Sequence, residues 1–322
     1  MNISRRNFLW WISGTLATAS LFAAVGCALK EDFVPPGDSA ETMNGKQLPE
    51  NIDLEQVEQT YKEIMDVQLQ YYNQINNVEI PAAEQINACF RQGDYLFKEN
   101  KMDLDSSTFL EVQEEICKTI KAAQPEAPEA LLKLAEAKEF QGDNLQQLME
   151  DIALLNKKEL QEYISAQKLD QRTGLKSEVI SFILYMSLTP FYSVYTEKVS
   201  EASDDFSIWR QGYCPVCGQT AVIARHRVED EARILFCWLC HAEWVFPRLE
   251  CPYCDNNNAR TLRYFYVDDN RSHQVHVCQK CNYYLKTVVG KTFEQEQLLK
   301  MEDIETRYLD MLAEQEGFKR PI

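Results

Sequence analysis

Four Cys-x-x-Cys pairs within 68 residues constrain what this chain can fold into more than any other feature. They are Cys214/Cys217, Cys237/Cys240, Cys251/Cys254 and Cys278/Cys281. Two cysteines three positions apart in a tight turn can aim both sulfurs at one ion. Two such turns complete a tetrahedral four-thiolate site suited to zinc or iron. Nineteen residues separate Cys217 from Cys237, and twenty-three separate Cys254 from Cys278, enough for a short hairpin between turns. The spacing predicts two metal ions, iron or zinc, each bound by four cysteines. Sequential pairing is the simplest arrangement: Cys214, Cys217, Cys237 and Cys240 in one site, Cys251, Cys254, Cys278 and Cys281 in the other. A cross-braced arrangement stays open. Disulfides fit poorly, because a bridge across a one-to-four spacing is strained and labile. Each unit is too small for a large core, so metal must supply much of its folding energy.

Between the pairs, Ala221–Ala224, Arg233–Phe236, Leu262–Val267 and Gln274–Val277 read as short strands, and Tyr283-Tyr284-Leu285 extends the last. Gly218 follows the first pair and permits the positive φ of such a turn; no other pair is followed by glycine. All four histidines (226, 241, 273 and 276) lie here, yet eight thiolates leave none of them needed as a ligand.

The N-terminus has a different character. Arg5 and Arg6 precede an uncharged stretch that runs to Leu29, the pattern of a signal segment over residues 1–30. Ser-Arg-Arg-Asn-Phe-Leu looks like a twin-arginine export signal. Ala24-Val25-Gly26-Cys27 resembles a lipoprotein box with Cys27 as the acylated residue, although Ala24 stands where leucine is usual. An uncleaved anchor is the rival, since Phe8 to Leu29 is long enough to span a bilayer. Either way the expected location is the outer face of the cytoplasmic membrane or the periplasm, with the twin-arginine translocase and the membrane as partners. Residues 31–50 carry Pro35-Pro36-Gly37 and no periodicity, and read as a flexible linker.

Residues 51–207 read as a helical domain. Apolar positions recur at helical spacing through Ile52, Val57, Tyr61, Ile64, Met65 and Leu69. Further patterns cover about 82–98, a run from Asp105 through Val112, Ile116 and Ile120, Pro125 to Phe140, and stretches near 144–155 and 157–168. Val179–Tyr195 is almost wholly apolar but short for a membrane span and interrupted by Pro190, which predicts a buried central helix. Cys89 and Cys117 read as small buried hydrophobes. The fold class is α+β: an all-α N-terminal domain, then two small metal modules over 208–249 and 250–290, then a helical tail over 291–322.

Charge narrows function. Asp and Glu total 50 against 33 Lys and Arg, a formal charge of −17, which opposes binding to a phosphate backbone. From Cys214 to Gly290, nine basic residues face eight acidic ones, so the metal region has no basic excess either. No GxGxxG, GxxxxGK[ST] or HExxH run is present. A hydrolytic zinc site keeps an open position, whereas here every pair has a second pair to close it. The chain reads as a non-enzyme.

Around the pairs, CPVCG at 214–218, ILFCWLCHAEWVFPRLECPYC at 234–254 and VCQKCNYYLKTV at 277–288 carry a resemblance. They include Glu243-Trp244, Arg248 and Tyr284-Leu285-Lys286. The chain resembles the formate dehydrogenase accessory protein FdhE family over roughly 208–290. That resemblance implies a helical domain followed by two rubredoxin-like four-cysteine modules. It also implies a non-catalytic maturation role, with the catalytic subunit of a respiratory formate dehydrogenase or related exported molybdoenzyme as partner. Trp238, Trp244, Phe246 and Tyr253 are candidate contacts for that partner or packing around the metal turns. Family members are typically cytoplasmic, so the export-type signal is a departure. An exported, membrane-tethered rubredoxin-like electron carrier is the alternative function.

Overall fold

The computed structural model describes residues 41–42, 54–136, 157–203, 206–267, 270–291 and 297–321, except the single positions 99, 101, 103 and 126. Arg5, Arg6 and Cys27, most of the linker and the helical stretch near 144–155 lie outside the described residues.

Six α-helices among the described residues precede the cysteine-bearing part of the sheet: α1 (Leu54–Tyr72), α2 (Ala83–Gln92), α3 (Ser106–Ala123), α4 (Lys157–Ala166), α5 (Leu169–Thr173) and α6 (Ser177–Ala202). Their patterning explains their packing. On α1, Val57, Tyr61, Ile64 and Tyr71 are buried along one stripe. Asp105 caps α3 by accepting from the Ser107 N–H, and Gly93 closes α2 in a left-handed turn.

Helix α6 is the axis of the domain. It is long and apolar enough to cross a membrane, but nearly all of it is enclosed by the other elements. Pro190 leaves the Met186 carbonyl without its helical donor. Gln68 of α1, itself buried, supplies one: its Nε2 donates to that carbonyl at 2.8 Å.

Over Pro125 to Phe140 the structure departs from helix propensity. The described part forms two 3₁₀ turns, Glu129–Leu131 and Leu134–Glu136. Pro128 stands at the entry of the first. Leu131 and Leu134 are both fully buried, and a spacing of three is what a 3₁₀ turn places on one side.

Among the described residues seven strands make one sheet, in the order β1-β5-β6-β7-β2-β3-β4. They are β1 (Glu41–Thr42), β2 (Ile223–His226), β3 (Arg233–Phe236), β4 (Glu243–Val245), β5 (Leu262–Tyr266), β6 (His273–Cys278) and β7 (Tyr284–Val288). The two metal modules share this sheet, joined where β2 runs parallel to β7 with Ile223 opposite Lys286. Within the segment read as linker, Glu41–Thr42 pairs with the outer edge of β5. Two C-terminal helices follow, α7 (Gln297–Glu305) and α8 (Arg307–Gln315).

Candidate metal centres

Each Cys-x-x-Cys is a turn of one design, repeated four times. The N–H of the residue after the second cysteine donates to the first cysteine's carbonyl: Gly218 to Cys214, His241 to Cys237 and Asp255 to Cys251, each at 3.0 Å, and Asn282 to Cys278 at 2.8 Å. The first cysteine's own N–H donates two positions past the cysteine pair, to the carbonyls of Gln219, Ala242, Asn256 and Tyr283 at 2.9–3.0 Å. Closing both bonds puts the intervening residue in the left-handed region, with φ of 75°, 64°, 54° and 60° at Gly218, His241, Asp255 and Asn282. Histidine, aspartate and asparagine tolerate that region better than most residues. The missing glycines therefore do not weaken the turns.

The turns bring the eight sulfurs together as the sequential pairing places them. Cys214, Cys217, Cys237 and Cys240 form centre one, and Cys251, Cys254, Cys278 and Cys281 form centre two. Within each centre the four Sγ atoms lie within 4.8 Å of one another. In centre one, Cys214–Cys240 and Cys217–Cys237 are each 3.4 Å apart. In centre two, Cys251–Cys281 and Cys254–Cys278 are 3.7 and 3.8 Å apart. A disulfide needs about 2.05 Å. Four thiolates about 2.3 Å from a central ion stand about 3.8 Å apart. The donor set thus fits a tetrahedrally bound zinc or iron ion, with all four positions taken by protein. The identity of the metal is not fixed by this geometry.

Electrostatics single out one thiol per centre. Burial works against the Cys237 thiolate, but hydrogen bonds from Cys214, Cys217 and Cys240 outweigh it and hold its pKa well below the ordinary value. Burial raises Cys214 and Cys217. In centre two, burial of Cys278 is outweighed by the Cys281 N–H and the Asn256 amide, which lower it to about 7. Asn256 Nδ2 donates to the Cys278 sulfur at 3.3 Å.

The helical domain grips centre one directly. Leu96 and Phe97 donate their N–H groups to the carbonyls of Pro215 and Val216, both at 3.0 Å, and Tyr213 Oη donates to Gly93 O at 2.6 Å. Gly218 faces the Tyr95 ring so closely that a Cβ there would lie 2.9 Å from it. Tyr61 of α1 meets Trp238 edge to face at 6.0 Å, and the Lys300 ammonium of α7 sits 4.6 Å over the same indole.

The residues that carry the family resemblance turn out to hold the sheet together. Glu243 forms a two-point ion pair with Arg225, at 2.6 and 3.0 Å. Trp244 is buried and donates Nε1–H to Gln211 O at 3.0 Å. Arg248 reaches Glu231 at 2.8 Å on the surface. Tyr284 and Lys286 both reach Asp310 at 2.7 Å, and Lys286 also meets Asp303 at 2.6 Å. Trp244 and Phe246 are 1% and 2% exposed, so they pack around the metal turns rather than offering contact points. Cys117 is a buried apolar side chain, whereas Cys89 is half-buried with its sulfur on the Asp94 carbonyl. Sequence reasoning did not single out Asp303, Asp310 or Arg320. Their signal is two acidic residues amid the apolar positions of the C-terminal helices, with a basic residue in the short segment after them.

No family model matches the chain. Curated proteins named FdhE homologues do. The one from Aquifex aeolicus is 27% identical over 177 residues, covering 54% of this chain and 60% of its own. The Shewanella oneidensis homologue is 27% identical over 187 residues, covering 55% and 60%. The chain spans about 60% of the length of these relatives. The crystal structure of the FdhE protein from Pseudomonas aeruginosa superposes with a TM-score of 0.52 at 17% identity, covering 83% of this chain and 91% of that one. In sequence the chain is similar to these FdhE homologues over about half of its length. The structural likeness establishes a shared fold, a helical region followed by a sheet with two four-cysteine groups.

Proposed function

We propose that this chain is a non-catalytic accessory factor in the maturation of a formate dehydrogenase or related exported molybdoenzyme, with that enzyme's catalytic subunit as its partner. The observation that carries the reading is the likeness to FdhE homologues in sequence together with coverage of most of the FdhE chain in fold. The chemistry of the centres agrees with it. Both are closed four-thiolate sets, which serve structure or electron storage rather than substrate activation. Their metal would hold the sheet modules in shape.

The reading includes the export-type signal, so the protein would work at, or on its way to, the outer face of the cytoplasmic membrane. Disruption of the gene in its own host should reduce formate dehydrogenase activity without abolishing synthesis of the catalytic subunit, and the intact gene should restore it. Full activity in the disrupted strain would refute the role. Fractionation of cells carrying Arg5→Lys/Arg6→Lys tests location: accumulation in the cytoplasm is the expected result.

A further inference from the structure

A cleft of about 630 Å³ lies between α1, α6 and the β2–β4 edge of the sheet; it borders the turn of Cys237 and Cys240 through His241 and Ala242, but none of the eight cysteines lines it. Clefts of ~300–1,000 Å³ are the size that holds ligands. Three independent features describe what it would take.

The first is an open strand edge. Among the described residues β4 ends the sheet, and it borders the cleft. Opposite it, β3 pairs Ile234 with Val245 and Phe236 with Glu243, while Phe246 N bonds Arg233 O and Cys237 N bonds Ala242 O. In an antiparallel ladder these bonds alternate along the strand. Residues 242, 244 and 246 therefore face β3, and Glu243 and Val245 turn their N–H and C=O outward. Val245 is 45% exposed.

The second is charge. Glu197 and Glu201 stand one turn apart on α6 and line the cleft. Glu197 accepts from Tyr72 Oη at 2.5 Å, and among the described residues neither carboxylate has a cationic partner. The two arginines of the same cleft are already neutralised, Arg225 by Glu243 and Arg227 by Asp230. The uncompensated charge of the cleft is negative.

The third is a pair of unmatched polar atoms in its lining. Thr196 Oγ1 and His241 Nε2 are buried without a hydrogen-bond partner among the described residues. Ser193 spends its single proton on the Thr189 carbonyl at 2.8 Å, so at 3.0 Å it accepts from His241 Nδ1–H. That leaves His241 Nε2 as a bare acceptor. Buried polar atoms are rarely left so unless something else satisfies them.

We infer that this cleft binds an extended polypeptide segment carrying an arginine or lysine, added as a strand along β4 with its basic side chain between Glu197 and Glu201. Strand addition uses the backbone groups of Glu243 and Val245 for affinity and the carboxylates for selection. The inference rests on the accessory reading in one respect: the segment belongs to the enzyme subunit that reading assigns as partner.

The test uses the full-length, metal-loaded protein and two probes, the purified formate dehydrogenase catalytic subunit of the host and short labelled peptides tiling it. Two variants leave the fold alone. Val245→Pro removes an N–H that faces away from β3 and bonds nothing among the described residues, and Glu197→Gln/Glu201→Gln removes surface charge. Metal content and melting temperature confirm that both are folded. The expected result is that a peptide bearing Arg or Lys binds, and that each variant weakens both it and the subunit by about tenfold or more, the scale of one lost charged hydrogen bond or a few backbone ones. Equal affinity of wild type and both variants for the subunit would overturn the cleft while leaving the accessory reading in place. Failure of the subunit to bind, with basic peptides still bound by wild type and lost in the variants, would do the reverse. A concentration-dependent dimer abolished by Val245→Pro would overturn the partner segment in favour of a second copy of this chain.

Discussion

Centre one lies inside the largest hydrophobic cluster, which runs without a break from α1 and α3 through α6 to its cysteines. All four of its cysteines are 4% exposed or less. Centre two has the same turns and the same ligands, yet Cys254 and Cys281 are half open to solvent. Its own small cluster packs β5, β6 and β7 against α8. One local design thus serves two energetic roles. A four-thiolate set around a divalent ion carries a net charge of −2, and burying charge is costly unless compensated. Centre one meets that cost inside a core, with donors on its turns and the Lys300 ammonium over Trp238 nearby. Centre two relies more on water. The difference teaches that centre one is part of how the helical domain folds, and centre two is an attached unit.

Removing ligands tests this most severely. Cys214→Ser/Cys217→Ser should lose one metal ion per chain and unfold the helical domain too. A structural site of this kind contributes on the order of 10 kcal/mol, as much as a whole domain's stability. Cys251→Ser/Cys254→Ser should also lose one ion but keep the helical far-ultraviolet dichroism and its melting transition. Elemental analysis with thermal melts of both variants decides it. Identical melts would break the comparison.

The next effect belongs to the side of centre two. Lys286 lies on β7 with its ammonium between Asp303 and Asp310, and Arg320 binds both carboxylates from the other side at 2.5–2.6 Å. The C-terminal chain is fastened further by Lys319, whose N–H donates to Asn282 O at 2.7 Å beside the fourth turn. Burial opposes the Asp303 carboxylate, but Arg320 and Lys286 hold it down to about 2. Lys286→Met should cost about 3–5 kcal/mol, because it strands buried carboxylates. Denaturant melts should show the loss in the sheet and C-terminal helices, with centre one still metallated.

These contrasts mark what the sequence could and could not disclose. The turns and their pairing were legible because they depend on spacing within a few residues. So was α6, since an apolar run holding a proline has few other places to go. β4 escaped notice because three residues carry no period. The parallel joint of β2 to β7 links positions 63 apart, Ile223 and Lys286, and no local pattern encodes it. Reading glycine alone as the mark of a left-handed turn passed over His241, Asp255 and Asn282. Pro125 to Phe140 misled for the opposite reason. Its helix formers were outweighed by Pro128 and by the burial of Leu131 and Leu134.

The seam between the modules should show in acid. His226 ends β2 and meets His276 of β6 edge to face at 5.8 Å. Burial, reinforced by Arg248 and Arg233, holds His226 down to about 4. In the unfolded chain it titrates near 6.5. The unfolded state therefore binds the proton first, and stability falls as pH drops from about 6.5 to 4, by about 3 kcal/mol in all. His226→Phe should remove that part of the slope while leaving stability at pH 8 little changed. An unchanged slope between pH 6.5 and 4.5, read from denaturant melts, would mean that the seam does not bury this ring.

The smallest effect separates the two centres at single residues. Gly218 and Asp255 occupy the same position in their turns, with φ of 75° and 54°. At Gly218 a Cβ brings both left-handed strain and contact with Tyr95 at 2.9 Å. Gly218→Ala should cost about 1–2 kcal/mol from the backbone alone, and more where Tyr95 cannot yield. Asp255→Gly relieves only the smaller left-handed strain that aspartate carries, and it frees the unfolded chain by about 0.5–1 kcal/mol. The two terms nearly cancel, so its melting temperature should stay close to that of the wild type. The asymmetry would come from the ring of Tyr95, which the helical domain presses against centre one. If both substitutions prove silent, Tyr95 is free to move aside, and the grip of the helical domain on that turn is looser than the contacts imply.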